Sequence, residues 1–267
     1  MLNDPLIFLQ RLRFEPAVLV TVERVQGSVP RETGAWMAVF TEGVEGTIGG
    51  GHLEWDALRA ARDALLSGGA SAWHQRVPLG PRLGQCCGGV VELRFERVGA
   101  ADAPALAQRL QPVRQPVALF GAGHVGHAIV QALRPLPFEL WWVDSRDSPF
   151  PDGLPAHVHT EHSDPVQAAV RGLPAGARVL IMSFSHAEDL DVVHACLRRR
   201  REQADLPFIG LIGSRTKLAT FRHRLEARGH TPAELDGVTC PIGLPAITGK
   251  APAVIAASVA AQLLTLP

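Results

Sequence analysis

Two adjacent thiols, Cys86 and Cys87, stand inside the run Gly84-Gln85-Cys86-Cys87-Gly88-Gly89. Thiols are soft donors, suited to soft metals and sulfur chemistry rather than to magnesium or calcium. Neighbouring side chains of an extended strand point to opposite faces, so both can grip one ion only from a turn, which the flanking glycines permit. A vicinal disulfide is strained, and a reducing compartment opposes it. The plainer reading is two small buried hydrophobes in a glycine-rich turn. Against it, the loop has glycines on both sides and no apolar run to bury it. Two C-x-x-C pairs, the strong zinc signature, are absent; Cys196 and Cys240 stand alone, the first within the helix expected over Leu190 to Arg201.

An earlier glycine stretch, Gly46-Thr47-Ile48-Gly49-Gly50-Gly51-His52-Leu53-Glu54, opens a helix with Glu54 and Asp56 near its first turn. Gly49, Gly50 and Gly51 there form either an anion cradle or a tight strand-to-helix crossover. A third glycine pattern, Gly121-Ala122-Gly123-His124-Val125-Gly126, follows an apolar strand and precedes a helix, with Asp144 ending the next strand. That context turns a weak motif into a dinucleotide fingerprint. Gly121 would permit the turn, Gly123 the approach of a pyrophosphate, and Gly126 the packing of helix on strand. Asp144 would accept ribose hydroxyls, favouring NAD or FAD over NADP. The alternative is a crevice that holds another ligand or none.

Later strand ends face the same crevice. His186, after Ser183-Phe184-Ser185, is either a proton carrier or soft ligand, or a solvated residue on a helix that Ser185 caps and Glu188 boxes. Ser214 and Arg215 could hold an anion through a helix amino terminus and a guanidinium. Pro241-Ile242-Gly243-Leu244-Pro245 reads as a stiff loop over that edge.

The elements that must position these residues divide in two. The fold class expected is α/β: a C-terminal Rossmann-like, doubly wound parallel sheet preceded by a smaller α+β domain. Residues 1–99 form the α+β domain with the glycine and cysteine loops, 100–115 a linker, and 116–267 the Rossmann-like domain. In the first, a helix over Pro5 to Phe14 precedes strands at Ala17 to Val25, Ala35 to Thr41 and Glu45 to Ile48. A helix from His52 to Leu66 and strands at Trp73 to Leu79 and Val90 to Val98 complete it. In the second, Val117 to Phe120, Glu139 to Asp144, Arg178 to Ser183 and Phe208 to Ile212 are strands alternating with helices, and Val254 to Leu264 is the final helix.

Composition bounds the partners. The 267 residues carry 26 Lys+Arg and 26 Asp+Glu, and this balance argues against nucleic acid or an acidic membrane surface. Arg198 to Arg201 is the dense basic run, placed at a helix end that suits cations. Apolar residues at 46% suffice for real cores. No export signal or spanning segment is read, so the expected location is the cytoplasm, with reduced thiols.

Taken together, Gly27-Ser28-Val29-Pro30-Arg31-Glu32-Thr33-Gly34-Ala35, Gly46 to Glu54 and Leu83 to Gly89 resemble the xanthine dehydrogenase accessory protein family, XdhC. The second half agrees through Gly121 to Gly126, Val143-Asp144-Ser145-Arg146, Ile212 to Arg215 and Pro241 to Leu244. The last loop departs from the family: Gly243-Leu244-Pro245-Ala246-Ile247-Thr248-Gly249 stands where an aspartate-containing stretch is expected. His186-Ala187 likewise replaces a denser His/Asp run. The resemblance implies an accessory protein rather than an enzyme. It would bind molybdenum cofactor, hold it while a cysteine desulfurase supplies the terminal sulfur, and pass it to a xanthine dehydrogenase apoenzyme. Cys86, with Cys87, would contact the metal or its sulfur, while Gln85 and Gly49 to Gly51 supply hydrogen bonds. The Rossmann crevice would take the nucleotide or phosphate-bearing end, and the chain is expected to form a homo-oligomer. From another class comes an NAD-dependent oxidoreductase with His186 as acid/base; a thiol-based metal-trafficking protein is a third.

Overall fold

The computed structural model describes residues 5–68, 70–80 and 88–266. The chain divides into two compact units, 1–112 and 113–267.

In the first unit, helix α1 (Pro5–Leu12) leads into β1 (Ala17–Gln26), β2 (Trp36–Val39) and β3 (Val44–Gly46). Helix α2 (Gly51–Ser67), β4 (Ala72–Pro78), β5 (Val90–Val98) and α3 (Ala103–Arg109) follow. The strands form one antiparallel sheet in the order β3-β2-β1-β5-β4. Alternation in β5, whose Val91, Leu93 and Phe95 are buried, sends one face toward α2. The apolar stripe of α2 answers with Leu53, Ala57 and Ala61. On the other face Phe8 and Leu12 of α1 pack with Leu19, Trp36 and Phe40. Gly68, in the left-handed region, ends α2 as a glycine C-cap does.

The stretch 100–115, expected as a linker with one helical turn, holds two helical segments. A 3-10 turn over Ala100–Asp102 leads into α3, whose Leu106 is buried in the cluster of Phe8, Leu12 and Val98. Its alanine and proline content hid one well-placed apolar residue. Gln115 already belongs to the next sheet.

The second unit contains β6 (Gln115–Phe120), α4 (His124–Leu133), β7 (Phe138–Asp144) and β8 (Val158–His162). After a 3-10 segment at Val166–Gly172 come β9 (Arg178–Ile181), α5 (His186–Gln203), β10 (Phe208–Leu211) and α6 (Arg215–Glu226). Short α7 (Pro232–Asp236), β11 (Val238–Thr239) and α8 (Pro252–Thr265) end the chain. Every pair in the six-stranded sheet is parallel, in the order β11-β10-β9-β6-β7-β8. Counted from β6, this is the doubly wound order 3-2-1-4-5-6, whose switch point lies between β6 and β9. The central strands are buried along their length, as a sheet covered on both faces requires.

Two strands escaped the sequence reading. Strand β8 has one buried residue, Val158, because it lies at the sheet edge, and β11 is two residues long. Neither displays an apolar run. The run Arg198 to Arg201 serves structure: Arg198, Arg199 and Arg201 pair with Glu202, Asp205 and Glu234, and Arg200 donates to the Leu206 and Gly237 carbonyls. Among the described residues, no helix is long and apolar enough to cross a membrane.

Candidate functional site

The antiparallel register gathers the glycine motifs of the first unit. Gln26 faces Val90, Val90 faces Pro78, and Gly46 faces Met37 near the start of β2. The chain therefore leaves β1, β3 and β4 at the same end of the sheet. There the loops touch. A Cβ on Gly49 would meet Pro30 Cβ at 2.6 Å, and one on Gly89 would meet the Gln26 and Ser28 carbonyl oxygens at 2.5 Å. Only hydrogen fits at these two approaches. The Leu79 amide donates to the Gly89 carbonyl at 2.7 Å, closing the base of the segment between β4 and β5. Gln85, Cys86 and Cys87 belong to that segment and lie outside the described residues. A cavity of about 270 Å³ opens at the same end, lined by Glu23, Arg24, Gln26, Thr33, Val90 and Glu92.

Glu54 organises the second of these loops. Its Oε2 accepts the Ile48 amide at 3.0 Å, the Gly50 amide at 3.1 Å and the Thr47 hydroxyl. The Thr47 hydroxyl in turn accepts the Gly49 amide at 3.1 Å. A carboxylate of the chain itself thus sits where a cradled anion would, as in a strand-to-helix crossover. Gly49 and Gly51 are exposed. Nearby, Glu32 is held below the usual carboxylate range by its own backbone hydrogen bond and, against some burial, by the Arg31 guanidinium 3.5 Å away.

In the second unit the fingerprint loop sits at the switch point. Gly121 has φ +119°, and a Cβ there would fall 2.0 Å from the Met182 carbonyl oxygen, while one on Gly126 would fall 2.1 Å from the Gly121 oxygen. At Gly123 nothing lies within 4 Å of that position, leaving open the place where a ligand approaches. No side chain caps α4, unlike α5 and α6, whose first amides are taken by Ser185 and Ser214. The first amides of α4 thus have no side-chain cap, the arrangement that a helix terminus needs if it is to accept an anion.

Asp144 is buried beside it. Its Oδ1 accepts the Arg146 amide and Nε, both at 2.9 Å, and its Oδ2 accepts the Ala122 amide at 2.5 Å and Arg146 Nη2 at 2.8 Å. Four donors fill the capacity of a carboxylate. Burial pushes this group up, but the Arg146 hydrogen bonds and charge, with the Ala122 amide, hold it below the usual range. A ribose hydroxyl would have to displace Arg146, and the charge expected to turn away a 2′-phosphate is already neutralised. The Arg146 guanidinium also lies 5.2 Å from the ring of Phe184, which is 67% exposed.

His186 is exposed at the first position of α5. Ser185 caps that helix by accepting the Glu188 amide, while the Glu188 carboxylate accepts the Phe184 amide and the Ser145 hydroxyl. The expected box is therefore open, its carboxylate bridging to β7 instead. Ser214 likewise accepts the Lys217 amide, and its hydroxyl is a cap. Sequence reading passed over Lys217, which pairs with buried Asp189 at 2.6 Å and donates to the Ile212 carbonyl. Asp189 in turn accepts the Ser183 amide, so the two tie β9 to β10 behind the crevice. Cys196 is fully buried, and burial pushes its thiol up to about 12. Cys240 is half-buried; burial raises its thiol against the pull of Lys217. Among the described residues, no cluster of three or more His, Cys, Asp or Glu side chains could hold a metal ion.

Comparison with known proteins agrees with this architecture. Residues 11–77 match the XdhC and CoxI family, and residues 117–263 match the XdhC Rossmann domain. The chain is 26% identical over 253 residues to the uncharacterized protein YqeB of Escherichia coli (strain K12), covering 93% of this chain and 43% of that protein. It thus spans less than half the length of that relative. A crystal structure described as a xanthine dehydrogenase from Bacillus halodurans superposes with a TM-score of 0.77 at 19% identity, over 98% of this chain and 95% of that one. The likeness is one of fold. With the Rossmann match spanning more than half of the residues, and a second match on the loop-bearing sheet, the chain belongs to the XdhC family.

Proposed function

We propose that this protein is an accessory factor in the maturation of a xanthine dehydrogenase-type enzyme, and that its cargo is molybdenum cofactor. Family membership supports the maturation role. One structural observation carries the cargo: glycine-bearing loops meet at one end of the antiparallel sheet, and the Leu79–Gly89 hydrogen bond there joins the two ends of the stretch to which the cysteines belong in sequence. The cofactor presents a soft metal bound through sulfur, a flat pterin and a phosphate. Thiols suit the metal, and exposed loop groups the pterin edge.

In this reading Cys86, with Cys87, contacts the metal or its sulfur, and Gln85, Gly49 and Gly51 donate or accept at the rim. Glu54 keeps the glycine loop in shape rather than meeting the cargo. Gly123 and the first amides of α4, in the second unit, take the phosphate of a dinucleotide such as NAD. A cysteine desulfurase and the recipient apoenzyme are the partners this role requires. The test is co-elution of molybdenum cofactor with purified protein. Wild type should retain the cofactor and Cys86→Ala should lose most of it; equal retention removes the thiol from the mechanism.

A further inference from the structure

A second cavity, of about 560 Å³, lies in the C-terminal unit at the carboxyl ends of β10 and β11. Its size is that of a small-molecule site. Its lining includes the apolar side chains of Ile212, Ile242, Leu244, Val254 and Ile255. It also includes Arg215, Lys250 and the half-buried thiol of Cys240. No carboxylate lines it. Neither cation is engaged in an ion pair or hydrogen bond among the described residues, whereas Lys217 is paired with Asp189 and Arg146 at the fingerprint with Asp144. Two unpaired cations in a lining without carboxylates leave a positive potential there. The cavity shares no lining residue with the fingerprint loop and lies beyond β9 from it in the sheet.

We infer that this cavity is a separate binding site for a small organic anion with a flat apolar body, its acid group held between Arg215 and Lys250 and its body against Ile242 and Ile255. Guanidinium and ammonium suit a phosphate or carboxylate, and the apolar lining rejects inorganic ions that bring no surface to bury. Cys240 serves as reporter, because a ligand seated there covers it. The site stands whether or not the N-terminal loops bind molybdenum cofactor.

The probe is 1-naphthyl phosphate, with inorganic phosphate and NAD as comparison arms. Binding is followed by calorimetry and by the rate at which iodoacetamide alkylates Cys240, read by peptide mass with buried Cys196 as internal control. At a probe concentration about ten times Kd, alkylation should slow about tenfold. Inorganic phosphate should protect little. Arg215→Ala and Lys250→Ala alter exposed side chains and should melt as wild type does, yet each should weaken binding about tenfold. An unchanged alkylation rate with no calorimetric signal would overturn the site. So would full affinity in the Arg215→Ala/Lys250→Ala double variant, and displacement of the probe by NAD would overturn its separateness.

Discussion

Two glycine loops of this molecule open helices, and they differ in where the negative charge lies. At Gly46 to Gly51 the carboxylate of Glu54 reaches back and accepts the Ile48 and Gly50 amides, with no cation paired to it among the described residues. At Gly121 to Gly126 the carboxylate of Asp144 takes one amide, is neutralised by Arg146, and leaves the first amides of α4 without a side-chain cap. A run of glycines before a helix therefore does not by itself make an anion site. The first loop answers its own amides; in the second the carboxylate is balanced by a cation and the helix amides have no side-chain cap.

The comparison is broken most severely at Gly121. Gly121→Ala places a Cβ against the Met182 carbonyl at the switch point and should cost about 4 kcal/mol or more, seen as a collapse of the denaturant midpoint. Arg146→Ala leaves a buried carboxylate without its cation and should cost about 3 kcal/mol near neutral pH. The sign follows from the lowered pKa of Asp144. Its contribution is fully present above the unfolded value near 3.9 and is lost as pH falls through the folded value, so the variant should show a flatter acid limb of stability against pH. A limb as steep as wild type would remove Asp144 from the balance.

Glu54→Ala strips three donors of their acceptor and should destabilise by about 2 kcal/mol, while leaving any ligand at α4 untouched. Loss of both stability and ligand binding would contradict the scaffolding role. Ser185→Ala and Ser214→Ala remove caps and should each cost about 1 kcal/mol in thermal unfolding. Gly123→Ala is the smallest in stability, within about 0.5 kcal/mol, because its backbone is extended and the space is open. It should nevertheless weaken a phosphate-bearing ligand; unaltered binding would place that ligand elsewhere.

Much of the fold was legible because its signals are local. The β-branched and apolar runs of β1, β6, β7 and β10 mark buried strands, and Gly121 to Gly126 marks the first turn of a doubly wound sheet. Strand β8 was not legible, since one buried residue, Val158, does the work of a pattern. At the site, the reading of His186 left two roles open, and the structure exposes it behind a Ser185 cap. Arg146 and Lys217 were missed as partners because an ion pair is a fact of distance, and no spacing rule announces it.

The chain order of amino acids alone determined the two-part plan, the glycine loops and the family, since each rests on residue type and near-neighbour spacing. Only the folded chain decided that the motifs after β1, β3 and β4 share one sheet end, because antiparallel register sets which loops meet. It also decided that Glu54 is spent on its own loop, that Asp144 answers to Arg146, and that Arg215 and Lys250 line one cavity with apolar side chains. Charge balance within a few ångströms depends on packing between segments remote in sequence, and packing is what tertiary structure adds.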